Sequence, residues 1–257
     1  MTSLKWIKKG LIYNVSNLSD WAHSHAHKGV NVSSVVKYGN YFHMYYIGWN
    51  PGITVPTRNA IGLAISKDGM AFEQLYEGPI LDRNKEEPYY TGAVFVMPPT
   101  TTYPQWRMWY TSGTRWEIID GKPEICYHIK YAESENEIDW RRGNISCIIP
   151  SHKYEVVARP WAIQEDGVYK MWYSKRDMRN FRTNPNNQYR AGYAESTDGI
   201  SWIRLDERVG IMPSENGWDS EAIAYQVVYI FAGKKYLLYN GNDLGRSGFG
   251  HAIEGEE

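Results

Sequence analysis

The apolar positions of the chain fall in short aromatic runs at a near-constant interval. Met44-Tyr45-Tyr46, Met108-Trp109-Tyr110, Met171-Trp172-Tyr173 and Leu237-Leu238-Tyr239 have central residues 64, 63 and 66 positions apart. A second landmark keeps step: Ser66 precedes Phe72, Ser134 precedes Trp140 and Ser196 precedes Trp202, each by six positions. Two of these intervals contain Asp68-Gly69 and Asp198-Gly199. Asp-Gly suits a tight hairpin, because glycine accepts a positive φ without Cβ strain. Two coupled landmarks at one period predict a repeat architecture.

Each unit predicts four strands. The first is apolar (30–36, 92–97, 157–163, 222–230) and the second is the Met-Trp-Tyr run. The third (61–66, 128–134, 189–196, 248–253) leads through the hairpin to the fourth (72–75, 140–149, 202–212). Four short strands rich in Tyr, Trp, Val and Ile describe a propeller blade. The predicted fold is all-β, a four-bladed β-propeller forming one domain over 1–257. The last unit stops before a fourth strand, whereas residues 5–13 resemble one, and Trp6 lies 66 positions before Phe72. That terminal segment is expected to complete the last blade and remove its open edge. The alternative is a five-bladed ring in which residues 14–29 and their neighbours form a minimal blade.

Composition narrows the function. The formal net charge is −1 with no long basic run, which argues against a phosphate backbone as partner. The two cysteines, Cys126 and Cys147, have no metal-type spacing. With no apolar leader and no run of membrane length, a cytosolic protein with free thiols is expected. Most of the 21 Tyr and 11 Trp residues occupy repeat-equivalent strand positions, where inter-blade packing accounts for them.

Joins between strands 1 and 2, and 3 and 4, fall on one face of such a ring and are short here. Joins between strands 2 and 3, and between blades, fall on the other face and are long: 14–29, 48–60, 82–91, 112–127, 150–157, 175–188, 213–221 and 240–247. Long loops on one face mark the functional face. His23, His25 and His27 lie there at alternate positions, and a His-x-His pair is a weak alternative metal site. His25, Trp49, Arg58, Arg115, Arg159, Arg176, Asn240 and Asn242 are candidates to contact an anionic or hydroxyl-rich ligand. Asp219 and Glu221 are two apart, so on a strand they would share one side, with Cα atoms roughly 6.5–7 Å apart. Paired carboxyls serve glycoside hydrolysis as acid and as base or nucleophile. Glu221 is the candidate acid, with Asp219 or Asp82 as its partner. No cofactor is expected.

These residues resemble the glycosidase-like β-propellers, the superfamily of arabinanases, invertases, levansucrases and β-mannoside phosphorylases. The likeness is to a bacterial branch associated with surface-polysaccharide gene clusters. It is carried by Ser24-His25-Ala26, Tyr45-Tyr46-Ile47-Gly48-Trp49-Asn50, Gly78-Pro79-Ile80-Leu81-Asp82-Arg83 and Arg107-Met108-Trp109-Tyr110-Thr111-Ser112-Gly113. Ile129 to Ser134, Ala158-Arg159-Pro160, Trp218-Asp219-Ser220-Glu221 and Tyr239-Asn240-Gly241-Asn242 extend it over nearly the whole chain. The resemblance implies a protein that binds or acts on a glycan or activated sugar at the long-loop face, as a glycosidase or glycoside phosphorylase. The alternative is a non-catalytic sugar-binding or scaffold propeller in polysaccharide assembly. Members of the superfamily have five blades and draw catalytic carboxyls from different ones. Here Ser24-His25-Ala26 runs almost directly into the first predicted inner strand, where the stretch from His27 to Ser33 lacks the acidic residue of the pattern. The resemblance therefore implies sugar binding more directly than hydrolysis.

Overall fold

The computed structural model describes residues 29–255. Its strands form four antiparallel sheets arranged as the blades of a four-bladed β-propeller. Blade 1 comprises β1 (Gly29–Tyr38), β2 (Tyr41–Pro51), β3 (Thr57–Ser66) and β4 (Glu73–Gln74). Blade 2 comprises β5 (Thr91–Met97), β6 (Trp106–Ile119), β7 (Lys122–Ser134) and β8 (Arg141–Ile148). Blade 3 comprises β9 (Glu155–Glu165), β10 (Val168–Asp177), β11 (Arg190–Ser196) and β12 (Ile203–Arg204). Blade 4 contains β13 (Ala224–Phe231), β14 (Lys234–Asn240) and β15 (Phe249–Ile253) among the described residues. The expected pairing of residues 5–13 with β15, and the minimal blade expected at 14–29, lie outside the described residues.

The recurrent Met-Trp-Tyr run is explained by burial on both faces of a blade. Trp109 of β6 packs toward blade 3, in a core with Val157, Met171 and Tyr173. Its neighbours Met108 and Tyr110 point the other way, into a core with Tyr45, Ile61 and Leu63 of blade 1. Alternation on a strand sends successive side chains to opposite faces, and here both faces meet another blade. The same step is repeated at Trp172, which packs against Ile223 and Val228 of blade 4. Tyr46 and Tyr173 need a glycine opposite them. A Cβ on Gly62 would come within 2.3 Å of the Tyr46 ring, and one on Gly192 within 2.2 Å of the Tyr173 ring.

The serine landmark is a turn built three times. Ser66 Oγ accepts from Gly69 N at 2.9 Å, and Asp68 Oδ1 accepts from Met70 N and Ala71 N. Ser196 and Asp198 repeat the arrangement, with Gly199 N, Ile200 N and Ser201 N as donors. In blade 2, Asn136 takes the aspartate's place, accepting from Ile138 N and Asp139 N.

Two carboxyls of blade 3 make stability depend on acid. Burial acts to raise the Asp198 pKa, but the N–H groups of Ser201 and Ile200 outweigh it and hold the group at about 2, below 3.8. Burial also acts to raise Asp206, and Lys175, Tyr173 and Arg204 hold it at about 2. A carboxyl depressed by folding contributes stability that is present above its unfolded pKa and lost as the pH falls through its folded pKa. The thermal midpoint should therefore drop between about pH 4 and pH 2. Asp206→Asn should remove about 1–2 kcal/mol at neutral pH, after allowance for solvent screening, and flatten part of that drop. Melting curves of both proteins across this window check it. An unchanged midpoint over the window would contradict the assignment.

The ladder of each inner strand carries a register shift. The β1–β2 register shifts between Val32 and Ser34, and the β5–β6 register between Gly92 and Val94. The β9–β10 ladder passes from Trp161 to Ala158, and the β13–β14 ladder from Ala224 to Val227. The skipped residues include Arg159, with φ 55°, and Tyr225, with φ 58°. Bulges re-aim side chains and commonly sit beside functional sites.

Candidate functional site

A cavity of about 940 Å³ opens where the connections between strands 2 and 3 of all four blades converge. This is the face on which the long joins were expected. Two of those joins are not loops, and this corrects the reading of residues 48–60 and 112–127. The β2–β3 ladder continues to the pair Pro51 and Thr57. The β6–β7 ladder continues to Ile119 and Lys122, closed by Asp120 at φ 50° and Gly121 at φ 74°. Two successive positive φ values form a turn whose twist matches that of the strands, so the hairpin extends without splaying. These arms carry Trp49 and Asn59 on blade 1, and Trp116 and Glu124 on blade 2, to the cavity wall. Asn59 is buried and donates from Nδ2 to the Tyr90 hydroxyl at 2.9 Å.

Blade 3 supplies the most polar wall. Arg176 is buried, and its guanidinium lies 3.6 Å from the centre of the Phe181 ring. Its Nε donates to the Tyr189 hydroxyl at 3.2 Å, and it pairs with Glu124 across the blade boundary at 3.6 Å. Arg182 pairs with the same carboxylate at 2.5 Å. Arg176 also donates to the Tyr127 hydroxyl of blade 2 at 3.5 Å, and Tyr225 of blade 4 packs against the Tyr189 ring at 5.6 Å. Burial pushes the Tyr127 and Tyr225 phenols well above the usual range. Burial acts on Tyr189 in the same sense, but Arg176 beside it, aided by hydrogen bonds to Tyr127 and Tyr225, brings it below its ordinary value. The wall therefore holds one phenol whose ionisation is eased among others whose ionisation is opposed.

Of the residues singled out in the sequence, Trp49, Arg159, Arg176 and Asn240 line the cavity. The other described candidates are not part of the lining. Arg58 is largely exposed and pairs with Asp82 at 3.1 Å. Arg115 pairs with Glu117 at 2.7 Å and borders a separate, smaller depression. Asn242 is a clamp: its Oδ1 accepts from Glu221 N at 2.8 Å and Ala222 N at 3.0 Å, and its Nδ2 donates to Gly217 O. Glu221 and Asp219 lie in the turn that Asn242 holds, because β13 begins only at Ala224. The strand alternation assumed for that pair does not apply. Asp219 is buried and accepts from the Tyr239 hydroxyl at 2.9 Å. His23, His25 and His27 lie outside the described residues. Among the described residues no group of three His, Cys, Asp or Glu side chains is placed to hold a metal ion.

Glu124, Tyr127, Tyr189 and Tyr225 escaped the sequence reading. Their available signal was position: each falls at the loop-side end of a strand or at a bulge, away from the blade centre.

No model of a known family matches the chain. Uncharacterized protein Rv1502 of Mycobacterium tuberculosis (strain ATCC 25618 / H37Rv) is 35% identical over 226 residues, which cover 88% of this chain and 71% of that one. Among solved structures, a thermostable family-43 glycoside hydrolase superposes with a TM-score of 0.65 at 18% identity, covering 87% of this chain and 70% of the other. A glycosyl hydrolase from Bacteroides ovatus gives a TM-score of 0.59 at 16% identity, covering 88% and 67%. The chain thus belongs to the same family as the mycobacterial protein Rv1502, and its fold is that of the glycosidase-like β-propellers.

Proposed function

We propose that this protein is a carbohydrate-active propeller that binds a glycan or activated sugar in the cavity at its long-loop face. The observation that carries the proposal is the composition of the wall. All four blades contribute to it, and aromatic rings (Trp49, Trp116, Tyr189, Tyr225) alternate with hydrogen-bonding side chains (Asn59, Gln188, Asn240) and guanidinium groups. Flat rings supply apolar platforms, and the polar groups fix orientation, the usual make-up of a small-molecule site. The volume of about 940 Å³ also lies within the range of such sites. That solved structures of this fold are described as glycoside hydrolases supports a sugar as the ligand.

The reading is tested by calorimetric titration of the full chain with a panel of glycosides, oligosaccharides and sugar phosphates, each also assayed for turnover. Binding is expected, with a rise in thermal midpoint that follows ligand concentration. A panel in which no sugar binds would remove the reading.

Catalysis at the same mouth is the second reading. Tyr189 favours it, as a phenol of eased ionisation beside Arg176. The acid pair read from the sequence has no such support, since Asp82, Asp219 and Glu221 are not part of the described lining. Glu221→Gln separates the two sites. Lost turnover with retained binding would return the acid to Glu221; unchanged turnover would remove it.

A further inference from the structure

Arg159 occupies the point where the four blades meet. It lies in β9 of blade 3, and its NH1 reaches blade 1, donating to Val32 O at 3.3 Å and Ser33 Oγ at 3.4 Å. Its guanidinium stands 5.8 Å from the Tyr225 ring of blade 4. Its backbone N–H donates to Thr111 Oγ1 of blade 2 at 3.2 Å. The β9 bulge, with φ 55° at Arg159, places the residue in the cavity lining.

Among the described residues, no carboxylate pairs with Arg159. A carbonyl and a hydroxyl accept its hydrogen bonds without neutralising it. Arg159 is half-buried in the cavity wall, and a guanidinium partly withdrawn from water without a counter-charge is destabilised. Burial accordingly lowers the Arg159 pKa, against a smaller opposing effect of Tyr225. The rest of the lining does not restore balance. Arg176 and Arg182 share the single carboxylate of Glu124. Four arginines (Arg159, Arg176, Arg182, Arg246) face two carboxylates (Glu124, Asp243), leaving two positive charges in excess among the described lining.

We infer that the sugar taken by this cavity carries an anionic group, a carboxylate or a phosphate, which Arg159 receives at the centre of the ring. The inference rests on the proposed sugar-binding function and narrows its ligand class. The bulge and the contacts to blade 1 hold the guanidinium in place before the ligand arrives. The anion supplies the counter-charge the protein leaves out, and charge-assisted bonds of this kind are about twice as strong as neutral ones. Arg246, on the exposed rim, adds attraction at longer range.

The test is calorimetry on the full chain with glucose, glucuronate, galacturonate, glucose 1-phosphate and mannose 1-phosphate at low and moderate salt. Wild type is compared with Arg159→Gln and with Arg246→Gln, whose exposed site is compatible with an intact fold. The carboxylate and phosphate arms tell which anion is recognised. At least one charged sugar should bind about tenfold or more tightly than glucose, and its affinity should fall with salt. Arg159→Gln should lose about that factor for the charged sugar and little for the neutral one. Arg246→Gln should reduce the salt dependence. Equal affinity for charged and neutral sugars would overturn this inference and leave sugar binding standing. Equal loss of both in Arg159→Gln would overturn it too. Failure of every sugar would overturn both.

Discussion

Trp109→Ala is expected to lower the unfolding free energy by about 3–5 kcal/mol, the cost of removing a large aromatic side chain from a packed core. Trp109 is fully buried. Its ring lies within 6.1 Å of Phe95, 5.7 Å of Tyr131 and 6.1 Å of Trp202, so it joins blade 2 to blade 3. Its Nε1 also donates to Gly199 O at 2.8 Å, in the turn of blade 3. Each blade is a small sheet whose stability comes from its neighbours, so a cavity here weakens two blades at once. Trp109→Phe separates the two contributions. It retains much of the ring contact and removes one of two indole donors to the Gly199 carbonyl, which keeps Trp202 Nε1 at 2.9 Å, and should cost about 0.5–1.5 kcal/mol. Urea unfolding followed by circular dichroism measures both. A loss below about 1 kcal/mol for the alanine variant would contradict the inter-blade role.

Glu87→Gln is expected to cost a similar amount, about 3–5 kcal/mol, by a different route. Glu87 is 2% exposed and sits in the join between blades 1 and 2. Its carboxylate accepts from the Tyr110 hydroxyl at 2.8 Å and from Ser112 Oγ at 2.8 Å. It faces Lys130 Nζ at 3.4 Å and Arg142 NH1 at 3.7 Å, both themselves largely buried. Removing the negative charge while keeping the shape leaves two buried cations without their shared anion. Burial, and then Lys130, lower the His128 pKa to about 4 against an opposing effect of Glu87. The double variant Glu87→Gln, Lys130→Met should lose less than the sum of the single changes, because the second substitution removes one of the stranded charges. Additive losses in the same unfolding assay would show that the two side chains are energetically independent.

The fold was largely legible because its signal is periodic. Met108, Trp109 and Tyr110 are all buried, and a strand covered on both faces reads as an unbroken apolar run. The Ser-x-Asp turns were legible for the same reason, since their hydrogen bonds are local to a few residues. Hairpin length was harder to read. Gly52, Pro56 and Pro123 made residues 48–60 and 112–127 look like loops, although Asp120-Gly121 was there to mark a turn.

The site was only partly legible, and the reason is geometric. Tyr189 and Tyr225 have the same composition as the packing tyrosines Tyr110 and Tyr173. Their place, Tyr189 at a strand end and Tyr225 at a bulge, distinguishes them. Arg159 stood out because an arginine before Pro160 on an inner strand has few places to go. Asp219 and Glu221 misled because spacing places two side chains together only when the backbone is a strand. Here it is a turn fastened by Asn242, with Asp219 engaged by Tyr239.

The most direct measurement is a crystal structure of the full chain soaked with the sugar that binds most tightly by calorimetry. The expected result is density for that sugar inside the mouth formed by the strand 2–3 connections, with a ring against Trp49, Tyr189 or Tyr225 and a polar group at Arg159. Density for the sugar confined to the opposite face, or to the outer edge of a blade, would contradict it.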